Sequence, residues 1–324
     1  MPSPNLSEII TTTLRNRSGK LADNVSDNNA ILYRLRERGK IKTVDGGRTI
    51  VQELAYADNS TFMWYSGYEP LNVSASDVIS AAEFDFKQAA VAVTISGLEQ
   101  LQNSGKEKVL DLMESRIDVA EKTMMNNIAL GMYADGTGNG GKEIGGLQLL
   151  VSTSPSSGTV GGINRATSTN AFWRNYFRDA SDNGVTLSAT TIQAEWNLVW
   201  ANLTRGTDRP DLIMVDNTQW TYYVSSLQTI QRITNSKLGE AGFTNLKFMD
   251  ADVVLDGGQG GNVPSTYAYF LNTDYIHYRP HKDRNMVPIG GDRMNTNQDA
   301  IVNLIGWAGN MTVSNAALQG VHRT

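Results

Sequence analysis

The clearest periodic signal in the chain lies between Ser104 and Met132. Val109, Leu112, Met113, Ile117, Ala120, Met124, Ile128 and Met132 recur at steps of three and four, while Lys106, Lys108, Asp111, Glu114, Asp118, Glu121 and Lys122 fall mostly on the opposite side. At 3.6 residues per turn the first set shares one face, which predicts an amphipathic helix over about 104–135. Ser96 with Glu99, and Ser104 with Glu107, have the Ser-x-x-Glu spacing in which two side chains satisfy free amides at a helix start. Gly136 supplies a stop. From Ser104 to Met132 such a helix covers about 29 residues, or roughly 43 Å, more than most globular helices. Its apolar positions do not sustain coiled-coil heptads, so it is expected to act as a spine for a sheet.

Ahead of this helix the pattern is of two kinds. In residues 1–48, short helical patterns appear around Ile9, Ile10 and Leu14 and around Ile31, Leu32 and Leu35, ended by Gly39 and Gly46-Gly47. Neither is long enough to persist alone, so this arm is expected to be ordered only where it lies on other protein. From Thr49 to Ser96 the pattern is extended. Thr49-Ile50-Val51 opens it, and Glu83 to Phe86 with Val91, Val93 and Ile95 closes it in alternation. Between them stand Phe62, Met63, Trp64, Tyr65 and Tyr68, with Gly67 and Pro70 as turn residues. The segment reads as a long two-stranded ribbon with an apolar tip. Isolated hairpins are marginal in water, so either another surface covers this tip or the aromatics fold back onto their own core.

Beyond a Gly- and Ser-rich loop (136–162), a helical pattern follows Thr169 to Asn175, and another runs from Thr190 to Leu203 with Ile192, Trp196, Val199, Trp200 and Leu203 on one face. A strand at 211–215, a helix around Trp220 to Leu227, a strand from Leu246 to Leu255 and paired strands near Tyr267–Leu271 and Tyr275–Tyr278 come next. Residues 285–298 read as a polar loop before a closing strand. The mixture is α+β.

Composition narrows the function classes. The 324 residues allow one large domain or two ordinary ones, and a hydrophobic fraction of 40% supports a buried core. No cysteine is present, which excludes disulfides, thiolate metal sites and thiol catalysis. The N-terminus lacks the pattern of a secretory signal, and no window reaches about 18 uninterrupted apolar residues, so no membrane association is expected. The net charge is −5, but residues 1–48 carry nine Lys/Arg against five Asp/Glu, leaving −9 for the rest. That arm is basic enough to face a polyanion and far weaker than a dedicated nucleic-acid binder.

Candidate chemistry is sparse. Residues 136–142 (GTGNGGK) satisfy phosphate-loop spacings, yet they follow a helix, and Glu143 stands where a P-loop needs Ser or Thr, so a connecting loop is expected. His277 and His281 are four apart, but Pro280 argues for extended chain; with His322 they are expected at a surface or interface. Asp250, Asp252 and Asp256 fail the calcium-loop pattern because Val254 occupies a ligand position, so a solvated strand face is expected. No catalytic residue, cofactor site or metal site is assigned.

The closing segment Asp299–Gly320 (DAIVNLIGWAGNMTVSNAALQG), with Trp307, Gly309, Asn310, Thr312, Val313, Asn315 and Gln319-Gly320, resembles the last strand of HK97-type major capsid proteins of tailed bacteriophages. The order of segments fits over nearly the whole chain. The resemblance implies an HK97-like capsid fold with an N-arm (1–48), an E-loop ribbon (49–95), a P domain (96–207 and 286–324) carrying the spine helix, and an inserted A domain (208–285). It further implies a structural protein, not an enzyme, that self-assembles into hexamers and pentamers of an icosahedral head in the host cytoplasm. Phe62, Met63, Trp64, Tyr65 and Tyr68 become inter-subunit contacts. Scaffolding, portal and cementing proteins become partners, and double-stranded DNA is enclosed with non-specific contact. Encapsulin-type nanocompartment shells share this fold, and an unrelated soluble binding protein, enzyme or tail component is the remaining class. Some capsids of the family join an E-loop lysine covalently to a neighbour's asparagine; here no lysine lies between Lys42 and Lys87.

Overall fold

The structure, a computed structural model, describes residues 29–75, 78–102, 106–227, 245–257, 261–290, 293–294 and 299–324. The helical pattern at Ile9–Leu14 lies outside them. The first element is helix α1 (Ala30–Glu37), started by the Asn29 side chain, which accepts from the amides of Ile31 and Leu32. Strands β1 (Thr49–Ala55) and β2 (Ile79–Asp85) form an antiparallel pair, and β3 (Lys87–Ser96) leads through α2 (Gly97–Gln102) into the spine helix α3 (Lys106–Gly131). The expected capping pair is present at the first site, where the Ser96 amide donates to Glu99 and the Glu99 amide to Ser96 Oγ. Within the described side chains of α3, Ile117, Ala120, Met124 and Ile128 are buried, as the helical spacing predicts, and Val119 and Leu130, which fall off that face, are exposed.

Ala120 sits deep in α3, so Ala120→Pro removes a backbone bond and drives a ring into the preceding turn. The expected cost is about 3 kcal/mol or more, a large part of an ordinary domain's stability. Thermal unfolding checks this, and unchanged melting of a soluble variant would contradict the helix as the structural spine.

Apart from a two-stranded hairpin of β4 (Thr159–Val160) and β5 (Ile163–Asn164), two sheets share the rest of the described strands. One is centred on β14 (Ala300–Val313), which pairs with β3 along one side and with β11 (Ile276–Pro280), β12 (Val287–Pro288) and β13 (Arg293–Met294) along the other. The second has six strands in the order β6-β15-β10-β7-β9-β8, built from β6 (Tyr176–Asp179), β7 (Leu212–Val215), β8 (Asn245–Phe248), β9 (Ala251–Leu255), β10 (Tyr267–Leu271) and β15 (Gly320–Arg323). Helices α4 (Ile192–Leu203) and α5 (Asn217–Ser226) pack on it, α5 capped by Asp216, whose carboxylate accepts from the amides of Thr218 and Gln219. Trp196 centres this second core, stacked on Tyr223 at 4.6 Å and edge-on to Phe248 and Phe270 at 5.4 and 5.6 Å.

Several expectations are corrected. The ribbon is short, seven residues a strand, and β3 leaves it to join β14. The expected strand 246–255 is a hairpin turning at Met249-Asp250, with Met249 in the left-handed region at φ 52°. Strands β10 and β11 do not pair with each other but belong to different sheets. The loop 285–298 contributes β12 and β13 to the β14 sheet. The sheets also divide the chain otherwise than the expected bounds: β6 and α4 build on the six-stranded sheet, β11 belongs with β14, and the chain crosses after Val313 so that β15 closes the six-stranded sheet.

The arm, too, differs. Ile31, Leu32 and Leu35 are fully buried in the chain's own core. Arg34 donates to Asp211 at 3.0 Å and lies 3.5 Å from Asp252, while Arg38 and Lys40 both reach Asp274. Residues 40–44 then run beside β11, with amides of Lys42 and Val44 donating to Tyr278 and Pro280 carbonyls. Part of the arm's positive charge is thus neutralised internally. This also corrects the solvated-face expectation for Asp252, which is buried as a partner of Arg34 in a strand flanked on both sides.

Candidate assembly surface

The closing segment shows why its polar residues are where they are. Asn310 is buried in β14; its side chain donates to the Asp85 carbonyl at 2.8 Å and accepts from the Gly145 amide at 3.0 Å, tying the ribbon's base and the loop after α3 to the sheet. Thr312 donates to Gln52 of β1, which also accepts from Arg279 at 3.0 Å. Gln319 bonds both backbone groups of Asn272 across the second sheet. A side chain at Gly309 would meet the Arg279 carbonyl at 2.5 Å, which leaves no room for a Cβ. These are satisfied buried groups, and those of Asn310 and Thr312 tie the base of the ribbon to the β14 sheet.

The ribbon's base is apolar and packed. Ile50, Leu54, Ala82 and Phe84 are buried, and the Glu83 amide donates to the Gly161 carbonyl at 2.9 Å. Past Ala55 the chain leaves this support. Tyr56 donates to the Val78 carbonyl, and only two further backbone bonds, at Phe62 and Glu69, hold the described part of the tip. Phe62, Met63, Trp64, Tyr65 and Tyr68 all lie exposed, Trp64 at 89% and Tyr65 at 63%, with Phe62 edge-on to Trp64 at 5.6 Å. They do not fold back onto the core. Leu71 and Val73, further along the same stretch of chain, are exposed at 54% and 90%; sequence reading did not single them out because they stand apart among polar neighbours. Exposed aromatic side chains concentrated in one segment make the tip the candidate interaction surface.

The other candidate residues form no reactive site. Around 136–142, positive φ at Gly136, Asn139, Gly140 and Gly141 shapes a tight connection that follows the spine helix, where a phosphate loop requires a strand, and continues to a short turn of helix at Leu147–Leu150. Against expectation, two histidines are internal. His322 is fully buried and His277 nearly so, and burial pushes each imidazole down to about 4. His281 is half-buried, its ring edge-on to Phe86 and its Nδ1 accepting from the Asp283 amide. Asp250 pairs with Arg209 at the surface at 2.8 Å, whereas Asp256 is partly buried, accepting from Tyr133 and Asn262, and burial pushes its carboxyl up. Among the described residues no cluster of His, Cys, Asp and Glu fits a metal ion, and no helix is long and apolar enough to cross a membrane.

No protein-family model and no curated protein matches the chain by sequence. Its structure does match known ones. Over 88% of its length, and 90% of the other chain, it superposes on a subunit of the cyanophage A-1(L) capsid with a TM-score of 0.64 at 15% identity. The capsid of a native GTA particle matches over 88% of both chains with a TM-score of 0.55 at 10% identity. The holo-SrpI encapsulin complex of Synechococcus elongatus PCC 7942 matches over 91% of this chain and 88% of its own, with a TM-score of 0.51 at 7% identity. The fold is therefore the HK97-like capsid fold.

Proposed function

We propose that this chain is the major capsid protein of a tailed, double-stranded DNA bacteriophage, a shell tile that assembles as hexamers and pentamers into an icosahedral head. The observation that carries the reading is the near-complete structural match to the cyanophage capsid subunit. The exposed, weakly supported ribbon tip with Phe62, Met63, Trp64, Tyr65 and Tyr68 agrees with it, because such a segment gains order and buries its aromatics only on a neighbour. The function is assembly and not catalysis. In this reading the chain is a virion component assembled in the host cytoplasm with scaffolding, portal and cementing proteins. DNA is retained by enclosure, since the chain is acidic overall.

An encapsulin-like shell is the second reading, favoured by the match to the SrpI complex. Electron microscopy of particles from the expressed full chain decides: large closed shells are expected, in phage-infected cells with DNA protected from nuclease, whereas small shells filled with protein would favour the second reading. A monodisperse monomer would overturn both in favour of a soluble binding protein, enzyme or tail component.

Covalent locking of these shells is not expected. A lysine amine near the tip would be the nucleophile, but the tip has none, and Lys87 is held back at the start of β3, donating to the Gly141 carbonyl at 2.6 Å. Particles boiled in detergent should run as a single band near 35.4 kDa. A ladder of multimers would show the assignment of the tip or of its chemistry to be mistaken.

A further inference from the structure

The arginines inside this chain are not compensated evenly. Arg34, Arg178 and Arg323 lie against the carboxylates of Asp211, Glu195 and Asp179. Among the described residues no carboxylate pairs with Arg165 or Arg279, and burial pulls both guanidinium groups down, Arg165 to about 10. Carbonyls satisfy Arg165, which donates to those of Leu149, Leu150 and Trp173 and to Asn175 Oδ1. Arg279 has no such set. Its Nη2 donates to Gln52 Oε1 at 3.0 Å, and its Nε is buried without a hydrogen-bond partner. A charged donor left buried and unpaired is costly, so its persistence asks what completes it.

The backbone gathers more positive charge beside it. Residues 40–44 run parallel to β11 with Ile41 opposite Tyr278, and Tyr278 is buried, stacked on Trp307 at 5.9 Å. Side chains alternate across a strand, so Lys40 and Lys42 of the arm and His277 and Arg279 of β11 share the other face, where Thr312 of β14 stands opposite His277. His277 is 7% exposed, and the charged groups that act on it, Arg279, Lys40 and Lys42, are all cations. Its Nδ1 makes no well-formed hydrogen bond. Asp274 holds Lys40 at 3.3 Å and Arg38 at 3.0 Å. No carboxylate among the described residues holds Lys42, which is exposed and opens this face to solvent.

We propose that this face of β11 is a phosphate-binding site in which an oxyanion lodges between Lys42 and Arg279, beside His277. The anion gives the Arg279 guanidinium the acceptor it lacks, and Lys42 supplies a point charge at the solvent side. A phosphate group, with several acceptor oxygens and up to two charges, matches two uncompensated cations better than a single carboxylate does. Inorganic phosphate and a polynucleotide backbone offer the same chemistry. The site does not depend on the reading of the chain as a shell tile.

Titrating inorganic phosphate into the purified full-length protein, in a buffer free of other oxyanions, tests the site. The phosphorus NMR line should broaden saturably, and the melting temperature should rise with phosphate because only the folded chain binds it. Lys42→Gln and Arg279→Gln should each weaken binding about tenfold or more. Lys122→Gln, which removes the same charge from an exposed position of α3, should leave it unchanged. Because Lys42 is exposed, its substitution reads the site even if Arg279→Gln fails to fold. No saturable binding by the wild type, or equal binding by Lys42→Gln, would overturn the proposal, and so would acetate binding as tightly as phosphate. A fluorescent DNA duplex distinguishes the sources. Duplex binding that both substitutions weaken and inorganic phosphate displaces assigns the site to a polynucleotide, whereas phosphate binding without duplex binding assigns it to the free ion. Shells built by a chain that binds no phosphate would sink the site and leave the tile reading intact. Phosphate binding through Lys42 and Arg279 by a chain that never forms shells would do the reverse.

Discussion

The double variant Trp64→Ser, Tyr65→Ser is expected to abolish particle formation while leaving a folded subunit. Both side chains are mostly exposed in the isolated chain, so removing them changes little inside it; surface substitutions of this kind usually stay within about 0.5 kcal/mol. At an interface the balance is different. A buried aromatic anchor is worth about 2 kcal/mol or more when truncated, so two of them weaken each contact by roughly a thousandfold at 1.4 kcal/mol per factor of ten. A closed shell repeats that contact in every subunit, and the concentration needed for assembly should rise beyond the reach of ordinary expression. Light scattering against concentration reads the assembly, and a melting curve reads the subunit. Normal shells at wild-type concentration would mean that the ribbon tip is not the contact.

The same residues show what a sequence discloses and what it hides. The aromatic tip was legible because five large apolar residues crowded beside Gly67 and Pro70 fit neither a helical nor an alternating period, and a run without a period has no local face to hide. The helix 192–203 was legible for the opposite reason: Ile192, Trp196, Val199 and Leu203 keep the helical step and are all buried. Pairing was not legible. Nothing in Tyr267–Tyr278 says that adjacent strands enter different sheets, since that depends on β14 and β15, some 30 to 50 residues further on. The turn at Met249 was hidden because a methionine takes a conformation that usually calls for glycine. Asp252 read as solvent-facing because alternation assumes one wet face, and its partner Arg34 lies at the other end of the sequence.

Acid should destabilise the subunit steeply, and His322 should account for much of it. The imidazole is sealed among α4, α5, β6 and β10, and Gln219 defines its state. Gln219 Oε1 accepts from Trp196 Nε1 at 3.1 Å, and Gln219 Nε2 donates to the Thr266 carbonyl at 2.7 Å, so the 3.0 Å contact to His322 Nδ1 requires that nitrogen to donate. The proton-accepting nitrogen is then Nε2, which has no hydrogen-bond partner and lies 3.9 Å from Glu195, itself held by Arg178 at 2.5 and 2.9 Å. Burial outweighs the attraction of Glu195 and holds the imidazole down from 6.5 to about 4. The unfolded chain therefore binds a proton before the folded one does. The stabilisation of the neutral form is complete above about pH 6.5 and is lost as pH falls toward 4, by about 3 kcal/mol at 1.36 kcal/mol per pH unit. His277, lowered to about 4 by burial and by Arg279, Lys40 and Lys42, acts in the same direction. Denaturant unfolding of the subunit between pH 7 and pH 4.5 should show this loss. In His322→Asn, whose amide can still donate to Gln219, the slope against pH should flatten by about the share of one histidine. An unchanged slope would mean that the ring is already protonated, or reached by water, in the folded protein.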